Sequence, residues 1–228
     1  MQITETNNIM KTTCKQLIAL AASTVIATVA LTGCSTTSGY KQADKTGAGI
    51  ADFRVEITKA KAAVDATVSD LGQVAVTAHT HPREAFEKFS KSLANLESVS
   101  AKAKKRGDEM KAKGQTYFKD WEKQLEQIKN PEIRSLAEQQ KAKLQAAFES
   151  IRTVAAPLKE QFDPWMSDLQ DLQKYLSSDL TVSGVDAAKG LFAKTQTEGF
   201  QVQKSMDALV AELNTVAATL TPASAKAK

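Results

Sequence analysis

The chain predicts an all-α fold, an elongated antiparallel four-helix bundle or coiled-coil-like assembly in which the two central helices are longer. Three observations predict it. Ala, Lys, Gln, Glu and Leu dominate, all good helix formers, and the 228 residues include only five prolines and ten glycines. Beyond residue 33 no alternating β-branched run competes with them. Apolar residues recur at steps of three and four in four successive blocks, with turn-forming residues between the blocks.

The first block carries Ile50, Phe53, Ile57, Ala60, Val64, Thr67, Leu71 and Val74 in a heptad-like pattern. Ahead of it, "STTSGYKQADKT" (35–46) has no apolar period and reads, with residue 34, as a flexible tether. The second block opens at "HTHPREAFEKF", where Pro82 suits a first helical turn and His81 or Thr80 takes the cap. Its stripe runs Phe86, Phe89, Leu93, Leu96, Ser100, Ala103, Gly107, Met110, Gly114, Tyr117, Trp121, Gln124 and Ile128. "KNPEIRSL" is a hinge, because Asn130 caps, Pro131 enters the first turn, and Glu132 meets the positive helix end.

The third stripe is Ile133, Leu136, Gln140, Leu144, Ala147, Ile151, Val154, Leu158, Phe162, Trp165, Leu169, Leu172 and Leu176. Pro157 and Pro164 interrupt it, so kinks or a break near "QFDPW" are expected. "DLTVSGVD" ends the block, with Ser183 and Asp186 spaced for a capping box. The fourth stripe runs Val185, Phe192, Thr195, Gly199, Val202, Met206, Leu209, Leu213, Val216 and Leu220. One bundle domain, 47–220, is therefore expected, followed by a disordered tail, "TPASAKAK" (221–228).

Alternation places the 78–82 and 177–183 connections at one end. The middle blocks, close to 48 residues each, would reach about 70 Å and outrun the outer two. The 129–131 hinge then caps a two-helix arm, and the start of block one faces the same end. Gly107 and Gly114 lie on the apolar stripe, where glycine costs about 1 kcal/mol relative to alanine. They imply a close approach of the neighbouring helix, or else a groove beside Tyr117, Phe118 and Trp121.

The N-terminal segment has a different character. Lys11 and Lys15 precede the uncharged run "LIALAASTVIATVALTG" (17–33), the order of a positive region and an apolar core in an export signal. Met10 is a second candidate start. "LTGC", Leu31 to Cys34, resembles the lipobox of bacterial lipoproteins at every position. The resemblance implies removal of 1–33, acyl chains on Cys34, and a membrane held through them. Ser35 and Thr36, rather than an aspartate, follow the cysteine, which implies the periplasmic face of the outer membrane. Cys14 lies in the segment to be removed, so no intramolecular disulfide is expected.

Further along, "HPREAFEKF", "LESVSAKAKKRGDEMKAKGQTYFKDWEKQLEQIKNPEIRSL" and "FDPWMSDLQDLQKYLSSDLTVSGV" are similar to an uncharacterised family of helical bacterial lipoproteins, known only as a domain of unknown function. That likeness covers most of 50–220, implies the helical fold, and brings no catalytic residues with it.

Candidate chemistry is sparse. His79 and His81 are two positions apart, with Glu84 near, but a metal site needs three or four ligands, and they read as a polar helix-start turn. Neither a nucleophile triad nor a nucleotide-binding glycine loop stands out. Carboxylates alternate with lysines, the pattern of a solvated helix face. No catalytic, cofactor or metal residues are assigned, and a non-enzymatic structural or interaction module is expected. The alternative is a small-ligand carrier or enzyme with a polar site inside the bundle.

From Lys102 to Arg134 ten basic residues stand against six acidic ones, an excess of +4 where the whole chain carries a net +4. An exported protein has no call on nucleic acid, so an envelope protein or anionic lipid is the expected partner, with self-association open. The candidate interaction surface is Lys111, Lys113, Tyr117, Lys119, Trp121 and Lys123.

Overall fold

A computed structural model of the chain describes residues 39–220. Residues 1–38, which hold the segment read as an export signal and Cys34, and the tail 221–228 lie outside the described residues. Five helices form: α1 (Gly39–Val76), α2 (Pro82–Gln127), α3 (Pro131–Ser178), the single-turn-and-a-half α4 (Val182–Ala187) and α5 (Lys189–Leu220). The four long helices pack as a ring. α1 lies against α2 and α5, α3 lies against α5 and α2, and the α1–α2 seam is the most extensive. Short connections make neighbours in sequence antiparallel.

The first and fourth stripes form core throughout. All eight stripe residues of α1, from Ile50 to Val74, are buried, as are all ten from Val185 to Leu220. Trp165 of α3 is buried, and its indole Nε1 donates to the Thr195 carbonyl of α5 at 2.8 Å. Gly199 makes the seat: a Cβ there would meet a Val68 methyl of α1 and lie 3.2 Å from Trp165 Cζ2. One missing methyl thus lets three helices meet.

Helix ends follow local chemistry. The Asn130 side chain accepts from the Glu132 and Ile133 amides at 2.9 and 3.1 Å, as expected of this hinge. His81 takes the cap position of α2 without a side-chain bond, and Pro82 opens the helix. Before α4 the cap is Thr181, not the expected Ser183; its Oγ1 accepts from the Gly184 amide at 3.1 Å. Asp179 in turn accepts from the Thr181 amide and hydroxyl, while Asp186 pairs with Lys189 at 2.7 Å. The capping box fails because the helix begins at Val182, two residues earlier than a Ser183 cap would need.

Two further expectations are settled in part or corrected. Of the kinks or break expected in α3 there is no break, since the helix runs for 48 residues through Pro157 and Pro164. Both prolines are exposed, as are Thr153 and Glu160, whose carbonyls they leave without an amide partner, so the carbonyls that the helix frees belong to solvent-facing residues. The other correction concerns residues 39–46, read as tether, which form the first two turns of α1. Thr46 is buried, and Gln42 Nε2 donates to Asp120 Oδ2 of α2 at 2.7 Å. The segment is helical because α2 extends beside it and supplies a partner.

α2 and α3, at 46 and 48 residues, outrun α5, at 32. A Cβ on Gly47 of α1 would stand 3.9 Å from Leu220, so the last described residue of α5 lies opposite that point. Beyond it lies an arm of three helices rather than two: the start of α1, the end of α2 and the start of α3. A Cβ on Gly39 would lie 3.4 Å from Gln124 Oε1, which sets the beginning of α1 near the hinge end of the arm.

Candidate interaction surface

The predicted interaction residues all fall on the arm half of α2, yet they do not form one surface. Tyr117 is buried at 7% exposure, and burial alone pushes its hydroxyl above the ordinary phenol range. Its ring stands 5.4 Å from Trp121 and 5.3 Å from Phe118, and Phe118 meets Phe148 of α3 edge-on at 5.3 Å. These rings close the α2–α3 seam of the arm. Gly114 admits them, since a Cβ there would lie 2.7 Å from Phe148 Cε1. Gly107 does the same for Phe53 of α1, at 3.1 Å. The two glycines accommodate aromatic rings rather than a neighbouring backbone.

The lysines diverge. Lys111 and Lys113 are two residues apart and so point about 200° from each other around α2. Lys113 lies over Gly49 of α1 and edges a shallow groove of about 410 Å³ with Gln42, Lys45, Thr46, Ala112, Thr116 and Tyr117. Lys119 is exposed, and Lys123 pairs with Asp120 at 3.3 Å. The Gln42 hydrogen bond, and then Lys123, hold the Asp120 carboxyl below its ordinary range. Arg106 pairs with Glu109, Arg134 with Glu138, and Lys141 of α3 with Glu122 of α2. The basic excess is therefore spread around the arm and partly neutralised by its own acids.

Gln42 and Lys45 of the groove are not legible as site residues because their segment has few apolar residues and reads as tether. A signal existed: Ala43 and Thr46 continue the three-four stepping of Ile50, Phe53 and Ile57 backwards.

His79 and His81 are both exposed at the far end of the bundle, and among the described residues no three His, Cys, Asp or Glu side chains group as metal ligands. The buried polar side chains among the described residues are Thr46, Thr67 and Thr195. Thr67 donates to the Ala63 carbonyl at 2.8 Å. No carboxylate or imidazole is among them, although one oxygen of Glu198 and the hydroxyls of Ser90 and Ser100 are covered, and the described interior is largely apolar. Among the described residues no helix is long and apolar enough to cross a membrane.

Fold and surface together define an elongated, all-helical bundle with an arm at one end. The chain belongs to the family described as protein of unknown function DUF2959, whose model matches residues 35–220. Neither curated proteins nor solved structures give a match.

Proposed function

We propose that the protein is a lipid-tethered component of the bacterial cell envelope, held by acyl chains on Cys34 at the periplasmic face of the outer membrane, and that the bundle serves as a structural or interaction module there. The observation that carries the reading is "LTGC" immediately after a positively charged and then apolar segment. The helical arrangement supports it from the other side. α1 begins at the hinge end, so the chain leads toward Cys34 from the arm rather than from the middle of the bundle. The apolar interior favours a module over a carrier or enzyme with a polar site inside the bundle. The arm offers its exposed lysines, Lys111, Lys113 and Lys119, to an envelope protein or to anionic lipid, each worth about 1 kcal/mol at a charged surface.

Metabolic labelling with a fatty-acid probe tests the anchor. Wild type takes the label and fractionates with membranes, whereas Cys34→Ser is unlabelled and leaves them. Equal labelling of both proteins rules the anchor out.

A further inference from the structure

The α3 stripe does not end where its cover ends. From Ile151 to Leu176 its inward residues are packed against the rest of the core, with α5 alongside, and the described part of α5 reaches only to the level of Gly47 of α1. The same face of α3 continues as Leu144, Gln140, Ala137, Leu136 and Ile133. Ile133 and Leu136 are 54% and 60% exposed, and as an i,i+3 pair they stand side by side. Isolated exposed apolar residues need no explanation, but a core stripe carried more than two turns past its partner does. The five residues named carry no charge, and the exposed Lys143 borders them.

We propose that the bilayer to which the chain is tethered takes the place of α5 here, so that the open side of the arm lies on the membrane interface with Ile133 and Leu136 in the headgroup–acyl boundary. The inference rests on the tether proposed above. Two observations select lipid as the occupant. The chain toward the membrane leaves α1 at this end, beside the open side, and the five residue steps from Gly39 back to Cys34 span at most about 18 Å. Leu136 is six residues from the Asn130 cap, about 9 Å along the helix, so the exposed pair lies within that reach of the anchored end. A short apolar face held flat at this depth is the geometry of interfacial helices.

The local charge separates this contact from attraction through the arm lysines. Between residues 126 and 138, Lys129 and Arg134 stand against Glu126, Glu132 and Glu138, two positive and three negative, a net of −1. A tip so charged gains nothing from an anionic surface. Its contact is apolar and is not weakened by salt, unlike an electrostatic one.

The test uses the full chain in isolated envelopes, with an environment-sensitive probe on Ile133→Cys, Leu136→Cys and, at the far end, Lys174→Cys, each matched to wild type by helix content. Quenchers are a nitroxide attached to lipid and iodide in the buffer. Membrane-bound chains whose probes at 133 and 136 are quenched by the nitroxide and shielded from iodide at low and high salt, with the reverse at 174, are the expected result. Membrane-bound chains whose probes at 133 and 136 stay open to iodide overturn the inference and leave the tether standing. Probes shielded from both quenchers, with crosslinking to a second copy or another protein, overturn it in favour of a protein partner. Chains that remain in the soluble fraction overturn the tether and this contact together.

Discussion

Gly199 and Gly190 belong to the same helix, yet alanine should act on them in opposite directions. At Gly199 the added methyl runs into Val68 and the Trp165 ring, so Gly199→Ala should lower stability by about 1–3 kcal/mol. At Gly190 nothing lies within 4 Å of the new Cβ, and Gly190→Ala should raise stability by about 0.4–1 kcal/mol through the unfolded chain. Urea midpoints of the two variants read both signs; a loss at Gly190 equal to that at Gly199 would contradict the packing described. Asp179 supplies a pH dependence. Hydrogen bonds from the Thr181 hydroxyl and amide hold its carboxyl below the ordinary 3.8, so the folded state favours the charged form. Its contribution is present above that ordinary value and disappears as pH falls through the lower folded one. Asp179→Ala should therefore melt below wild type at pH 7, and the gap should close in acid below about 3.8. A gap constant across that range would show that the carboxyl's charge is immaterial.

At the scale of elements, the two prolines inside α3 are tolerated rather than required. Each lies on the exposed side, so Pro157→Ala and Pro164→Ala should restore a backbone bond and stabilise the protein by up to about 3 kcal/mol each. Thermal melting measures this, and a loss of stability would mean that the prolines set a bend the packing needs. The same helix marks what could be read in advance. The stripes of α1 and α5 are core at every assigned position because each is flanked by helices along its whole apolar face. Ile133 and Leu136 fit the same period but have no α5 beside them; periodicity identifies a face and is silent about what covers it. The converse error occurred at 39–46, where few apolar residues disguised two helical turns held by Thr46 and the Gln42–Asp120 bond. Among the surface residues, Lys111, Lys113, Lys119 and Lys123 are close in sequence but diverge around the helix, and Tyr117 turned inward on its own period.

For the whole molecule, the mismatch in helix length divides α2 and α3 into a part inside the full ring and a part in the arm. Amides of the arm, roughly residues 112–145, should exchange hydrogen faster than those of the ring, because fewer apolar neighbours oppose local opening. Uniform protection along α2 and α3 would argue against a separate arm. The order of the ring has a further consequence, in time rather than in space. α1 meets α2 across a tight connection, whereas its other side is met by α5, with Arg54 bonded to Asn214 across 160 residues. A hairpin of α1 and α2 can therefore zip early in folding, while closure of the ring waits for the last helix and bears the entropy of a long loop. Until α5 arrives, a chain emerging N-terminus first carries a bare apolar strip along α1, and that interval is when it is most open to aggregation.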